Sequence, residues 1–491
     1  MTEVKREKAN LLKRAEKAET PATHFNIWLE KRRLRMDWKE RYADKLRTPD
    51  EAVKVVKSGD FVRFAWNSIF QTCWALAPAL ARRAPELENV TIDTTWTMAS
   101  ELGLLAPGTE KAWQTFTGFT YGPTEIAKLS ARDEQANFYP FCQHLAPLVD
   151  GPFRDQARKA LAESDVLMIV ITPPDERGIV TFGTHLWGAR REIRSAKIVI
   201  GEVDEQLPII PGGDNWMPVD EFDYLVESTH MDLYGALGGL LETPPEQQEP
   251  SEVICALIAS ELINDGDCVM FGGGAIPMRI APFLENKVDL GCHTEVVCPL
   301  DLIKNGVINN KRRNLVPGKT SCTAMAAWKK EDEEYLNGSP LFDLRDSELN
   351  NHILYFARND NMVAINAPLE INLFSEINIE RIGYRYFRGV GGQVEMVIGA
   401  LSAKNGRSIH GVISRKLSTT TGEWGSAIVP QFTHPGVASI PRHFADFIVT
   451  EYGIASLLGK SERQRAEELI SIAHPDYRAE LRKEAQKLFY A

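Results

Sequence analysis

At 491 residues, with 44% apolar and 25% charged residues, the chain has the composition of a globular protein and is long enough for two cores. Its net charge of −11 excludes a domain-wide positive field for collecting nucleic acid. Seven widely spaced cysteines (73, 142, 255, 268, 292, 298 and 322), with no C-x-x-C pair, argue against a disulfide framework or zinc site and for reduced thiols in the cytoplasm.

Residues 1–36 are rich in Lys, Arg, Glu and Ala, and predict a charged N-terminal helical arm suited to contacts between subunits. The start has no secretory pattern, and the longest apolar strip, 166–172, is far short of a membrane span, so no membrane partner is expected. A first domain is assigned to 37–230. Within it, 51–64 reads as a helix, a Ser58-Gly59-Asp60 turn and a strand from Phe61 to Phe64. Residues 252–271 repeat that order: a helix, Asp265-Gly266-Asp267, then a strand from Cys268 to Phe271. The two halves also close alike, with Asp223-Tyr224-Leu225-Val226 and Asp446-Phe447-Ile448-Val449. A unit recurring after roughly 200 residues marks a duplicated α/β domain. Between the halves, the proline-rich stretch 241–250 suits an extended linker, set at 231–250, and 251–491 forms the second domain. Short β-branched runs (166–172, 197–203, 395–401) alternate with helical patterns (185–196, 461–473), which predicts mainly parallel sheets covered by helices.

The chemistry concentrates in the second half. Phe271-Gly272-Gly273-Gly274-Ala275-Ile276-Pro277 reads as a strand running into a glycine turn and then a helix beginning near Pro277. Such a turn lets backbone N–H groups approach an anionic ligand, at the strand edge where open α/β sheets bind ligands. Twenty residues on, Glu295 ends an apolar stretch where a carboxylate is costly. A glutamate so placed can attack an acyl group while the glycine turn stabilises the oxyanion. A second glycine turn, Gly389-Val390-Gly391-Gly392-Gln393, follows the strand-like 362–366. Each turn alone serves a tight bend as readily as a ligand. Gly318-Lys319-Thr320 fails as a phosphate loop because Arg313 stands where the first glycine belongs. The basic run Lys311-Arg312-Arg313 is either a solvated loop or a steering patch for a phosphorylated ligand. Cys292 and Cys298 bracket Glu295 and read as small core residues, and His293 either acts as a base, orients Glu295 or fills the core. His410, His434 and His474 lack acidic partners at metal-ligand spacing, so no metal is expected.

With these motifs in order, the chain resembles the acetyl-CoA hydrolase and 4-hydroxybutyrate CoA-transferase family, the class I CoA-transferases. The likeness runs from Trp38 to the C-terminus and is carried by FGGGAIP at 271–277, HTE at 293–295, NMVAIN at 361–366, GVGGQ at 389–393, VTEYGI at 449–454, GKS at 459–461 and HPDYR at 474–478. It implies two related open α/β domains with the active site between them. The family's catalytic glutamate maps onto Glu295. Its coenzyme A contacts map onto Gly272, Gly273, Gly274, Ala275, Ile276, Ile365, Asn366, Gly389, Gly391 and Gly392. Coenzyme A is then a substrate and not a resident cofactor, the co-substrate is a small carboxylic acid, and a homodimer or higher homo-oligomer is expected. The implied activity is acyl-CoA:carboxylate CoA transfer through a glutamyl-CoA thioester. The alternatives are hydrolysis of acyl-CoA by the same glutamate and a non-catalytic CoA-binding protein. The sequence departs from the family pattern at Val394-Glu395-Met396, where an Asp-Phe pair is usual, and at Thr419-Thr420-Thr421, where a lysine is common. Eight of the ten tryptophans precede residue 231, including Trp66, Trp74, Trp96, Trp113 and Trp187; most read as core, and the remainder would reshape an acyl pocket.

Overall fold

The computed structural model describes residues 38–65, 72–93, 103–104, 108–117, 136–138, 163–230, 245–274, 276–296, 298–325, 329–387, 389–417 and 422–490. The expectations for the arm at 1–36, for 231–244, and for Trp66, Trp96, Cys142, Ala275 and Thr419-Thr420-Thr421 lie outside the described residues.

Two mainly parallel sheets organise the chain. The first contains β1 (Phe61–Phe64), β2 (Val90–Asp93), β3 (Trp113–Thr117), β4 (Ala136–Phe138), β5 (Ser164–Ile171), β6 (Ala196–Val203) and β7 (Tyr224–Glu227), in the order β4-β3-β2-β1-β5-β6-β7. Every neighbouring pair in it is parallel. In the second half come β8 (Cys268–Phe271), β9 (Gly291–Cys292), β10 (Thr320–Cys322), β11 (Phe342–Leu344), β12 (Met362–Asn366), β13 (Arg407–Gly411), β14 (Phe447–Thr450) and β15 (Gly453–Ser456). The second sheet runs β9-β8-β12-β13-β14-β15, and only β15 is antiparallel. The parallel pair β10-β11 adjoins β9 through a bridge between His293 and Ser321. Strands buried on both faces explain the unbroken apolar runs, such as β5 with six consecutive buried residues from Val166 to Ile171.

The repeat extends to individual hydrogen bonds. Gly59 and Gly266 both take positive φ, 86° and 81°, and donate to Glu88 O and Val288 O at 3.0 and 2.9 Å. Asp60 accepts from Lys57 N at 2.8 Å, and Asp267 from Asn264 N at 2.6 Å. Asp223 accepts from Val199 N at 2.8 Å, and Asp446 from Ser408 N at 3.0 Å. The aspartates that looked alike in sequence thus terminate turns and fasten neighbouring strands in the same way in both halves.

Helices α1 (Leu76–Arg82) and α2 (Ala189–Ser195) accompany the first sheet, and α3 (Pro245–Leu257), α4 (Gln393–Ser402), α5 (Glu462–Ile472) and α6 (Pro475–Phe489) the second. Three expectations need correction. The extended reading of 241–250 fails from Pro245 onward, because Pro245 opens α3 at the first position, where a missing N–H costs nothing. The run 395–401 is not a strand but most of α4; it is apolar on both flanks because Met396 and Ala400 join one core cluster while Val397 joins another. No helix begins at Pro277: turns closed by Met278 N to Gly274 O (3.1 Å) and Arg279 N to Ile276 O (3.1 Å) lead to a short 3₁₀ turn, Ala281–Leu284. No described helix is long and apolar enough to cross a membrane.

Candidate active site

Strands β8, β9, β12 and β13 are mutually parallel, so their carboxyl ends share one edge. The first glycine turn leaves β8 there. Gly272 N donates to Ile365 O at 3.1 Å, and a Cβ on Gly272 would lie 2.8 Å from that oxygen and 3.0 Å from Asn366 Oδ1. Gly274 has φ 138°, and its Cβ would stand 3.0 Å from Ala367 Cβ. Only glycine lets the backbone lie against the end of β12 here. The structure therefore brings Gly272, Gly273 and Gly274 beside Ile365 and Asn366, with Gly273 exposed. The second turn, with Gly389 and Gly392 buried and Gly391 at φ 56°, ends on α4, whose first turn has no side-chain cap. Because α4 packs on β12 and β13 and leads into β13, its N-terminus faces the same edge. Two buried amide donors at this edge, Asn366 Nδ2 and Gln393 Nε2, have no acceptor among the described residues.

Glu295 follows β9 at this edge. Its backbone is fixed from three sides: Glu295 O accepts from Thr323 N (3.1 Å), Ala324 N (3.0 Å) and Thr323 Oγ1 (2.7 Å). Just before it, Thr294 N donates to Ser321 O at 2.9 Å, and Thr294 Oγ1 to Phe271 O at 3.0 Å, which ties the carboxylate's segment to the start of the glycine turn. The side chain is half-buried, and Oε1 accepts from Asn351 Nδ2 at 3.2 Å. Asn350 Nδ2 donates to Thr294 O at 2.9 Å and to Asn351 Oδ1 at 3.0 Å.

His293 is a strut. Its Nε2 lies 2.7 Å from Asn350 O, which can only accept, so Nε2 carries the hydrogen and Nδ1 accepts from Asn359 Nδ2 at 2.9 Å. Burial pushes its pKa down to about 3, and Phe356 and Tyr355 meet the ring edge-on at 4.9 and 5.9 Å. A neutral imidazole with both nitrogens engaged holds Asn350 in place and takes no proton near neutrality. Cys292 and Cys298 are both buried, and burial, followed by contact with Cys298, raises the Cys292 thiol well above its ordinary value, so Cys292 is no thiolate nucleophile. The basic run divides: Arg313 is buried and donates to Cys292 O (3.0 Å), Lys319 O (2.6 Å) and Ser321 Oγ (3.2 Å), while Arg312 pairs with Asp289 at 3.0 Å. The stem of Arg313 packs on Gly291 while its guanidinium is taken up by these acceptors, so it serves as a buried structural cation. Among the described residues no group of three His, Cys, Asp or Glu side chains is placed to hold a metal ion.

The loop at 184–187 brings the first half to the site. His185 bridges Ala324, Met325 N donates to Thr184 O at 2.8 Å, and Thr323 O accepts from Leu186 N (3.0 Å) and Trp187 N (3.3 Å). A second seam joins Asp214 to Arg190 (3.5 Å), Arg345 (3.7 Å) and Asp346 N (3.3 Å). Of the tryptophans, Trp113 and Trp187 are buried and Trp74 is half-buried. Sequence reasoning missed Asn350, Asn351, Asn359 and Thr323. The adjacent Asn350-Asn351 pair was the only local signal.

Models of the acetyl-CoA hydrolase/transferase N-terminal and C-terminal domains match residues 30–233 and 330–485. The chain is 32% identical to a 4-hydroxybutyrate coenzyme A transferase of Clostridium kluyveri, over 92% of this chain and 100% of that one. It is 31% identical to a butyryl-CoA:acetate CoA-transferase of Anaerostipes caccae, over 92% and 98%. Among solved structures, RipA from Yersinia pestis superposes with a TM-score of 0.77 at 29% identity, covering 93% of this chain and all of that one. A 4-hydroxybutyrate CoA-transferase from Porphyromonas gingivalis gives 0.71 at 27% identity, covering 92% and 100%. The chain belongs to the acetyl-CoA hydrolase/transferase family and is an enzyme of the CoA-transferase type.

Proposed function

We propose that the protein is an acyl-CoA:carboxylate CoA-transferase that carries CoA covalently on Glu295. The observation that carries this reading is the placement of the Glu295 carboxylate: half-buried at the strand edge, backbone fixed by Thr323 and Ala324, one oxygen held by Asn351. A Glu295 oxygen attacks the thioester carbonyl of the donor, the C–S bond breaks, and a mixed anhydride and CoA thiolate form. The thiolate then attacks the glutamyl carbonyl, the donor acid leaves as its carboxylate, and an enzyme-CoA thioester remains. An acceptor carboxylate reverses the two steps and departs as its CoA ester. In this reading Gly272, Gly273, Gly274, Ala275, Ile276, Ile365, Asn366, Gly389, Gly391 and Gly392 receive CoA, and the buried donors of Asn366 and Gln393 gain acceptors on it. The same reading places the protein in the cytoplasm as a homodimer or a multiple of it, with domains at 37–230 and 251–491.

Incubation with acetyl-CoA followed by borohydride and mass spectrometry tests the mechanism, and an unmodified Glu295 peptide sinks it. Glu295→Gln, similar in size, is expected to lower exchange by about a thousandfold or more with an unchanged melting temperature. Full-rate release of CoA without any added carboxylate would instead identify a hydrolase.

A further inference from the structure

Lys416 has no part in the mechanism above, yet its amine is held at the same sheet edge. It lies on the short strand Arg415–Leu417, which follows the carboxyl end of β13 and pairs with Trp424–Ser426. Lys416 Nζ donates to Leu369 O at 2.8 Å. Leu369 closely follows Asn366 and Ala367, the residues against which Gly272 and Gly274 are packed. The amine is thus tied by its own nitrogen to the segment beside the glycine turn, and its side chain, 33% exposed, can be reached from solvent. Glu370 Oε2 lies 4.0 Å from Nζ, and Glu370 Oε1 accepts from Asn378 Nδ2 at 2.9 Å. Among the described residues Glu370 is the one carboxylate paired with this amine, and its side chain is only 3% exposed. Burial lowers the Lys416 pKa against the opposing pull of Glu370, and burial raises that of Glu370 against Lys416 and Asn378. An ion pair built for stability shifts both groups the other way. A desolvated amine with a base beside it is the arrangement that makes a lysine nucleophilic.

We propose that Lys416 is a site of self-acylation, at which the ε-amine takes the acyl group from an acyl-CoA bound at this edge. The position of that acyl-CoA rests on the CoA-transferase reading. The unprotonated amine attacks the thioester carbonyl, the N–C bond forms, the C–S bond breaks, and CoA leaves as its thiolate. Glu370 takes the proton shed by nitrogen and passes it to the thiolate or to water. An amide does not hand its acyl group back to CoA as a glutamyl thioester does, so the modification accumulates and removes a positive charge from this edge.

Incubation of the wild type with acetyl-CoA near neutral pH, sampled over time and mapped by peptide mass spectrometry, tests this. Lys416 is expected to gain its acetyl group roughly tenfold or more faster than Lys57 and Lys404, which are exposed. Its rate should saturate with acetyl-CoA while theirs rises in proportion. Glu370→Gln keeps an acceptor for Asn378 and should slow acetylation of Lys416 by about tenfold or more, leaving Lys57 and Lys404 unchanged. A purely electrostatic Glu370 would act in reverse, because removing its charge favours the neutral amine. Acetylation of Lys416 no faster than that of the exposed lysines, a rate that does not saturate, or an unchanged or faster rate in Glu370→Gln overturns the proposal. Should that variant fail to fold, the wild-type rates decide alone. CoA exchange from acetyl-CoA to propanoate is followed on the same samples. If exchange is absent while Lys416 acetylation saturates, the functional reading fails and the acylation site stands; if exchange proceeds and Lys416 stays unmodified, only the acylation site falls.

Discussion

Glu295 was legible because three cues coincide locally: a carboxylate, an apolar approach and a glycine turn. Asn351 was not, because a buried amide 56 positions away carries no period and no spacing, and only the fold brings its Nδ2 to Glu295 Oε1 at 3.2 Å. Asn351→Ala should lower kcat by about tenfold to a hundredfold with little change in KM for CoA esters, read from steady-state kinetics. Three histidines make a different case. His185, His293 and His410 are fully buried, and burial pushes each down to about 3. The unfolded chain takes protons on all three below about pH 6.5 while the folded protein does not. The stability they contribute is therefore complete above that pH and is lost as pH falls toward 3. His410 has neither ring nitrogen bonded among the described residues, so His410→Leu should be neutral or stabilising at pH 7. Below pH 6 it should reduce the slope of stability against pH by about 1 kcal/mol per unit in denaturant melts.

At the scale of elements, the α/β alternation and the turn aspartates could be read directly, while 395–401 was misread because a helix buried on both flanks loses its amphipathic stripe and looks like a covered strand. Gly399 belongs to that packing: a Cβ there would lie 2.8 Å from Phe356 Cδ1. The short helix Ser347–Asn350 matters more to the site, since its last residue is Asn350 and Asn351 follows it. Asp346 caps it, accepting from Glu348 N at 3.0 Å, and is almost wholly buried. Burial, with the Glu348 and Asp214 carboxylates acting in the same direction, pushes its pKa up to about 8. A folded pKa above the unfolded one means that the contribution is fully present below about pH 4 and is lost as pH rises through 8. Asp346→Asn keeps an acceptor for Glu348 N and removes the titration. Its melting temperature should equal or exceed that of the wild type at pH 8, with the gap closing toward pH 4, as measured by calorimetry.

Over the whole molecule, duplication explains where the chemistry can and cannot be. Val62 aligns with both Ile92 and Val166, as Val269 does with Cys292 and Val363, so the two halves share one register. Counting three residues on from Ile92 and Cys292 sets Thr95 against Glu295, and the carboxylate occurs in the second half alone. The repeat was visible in sequence because it is built from local turns. The docking of the halves was not, because its contacts join residues far apart in the chain, such as Asp214 and Asp346, 132 positions apart. Under the proposed mechanism the first half acts on the reaction by holding the segment that presents Asn351, and Asp214 is the point at which to test this. Asp214→Asn strips Arg190 and Arg345, both largely buried, of a charge partner and should cost about 1–3 kcal/mol of stability. It should also lower kcat/KM. If the loss of activity passes through Asn351, the double variant Asp214→Asn with Asn351→Ala will lose clearly less than the product of the two single losses. Simple multiplication of the losses would mean that the seam at Asp214 serves stability only and does not act through Asn351.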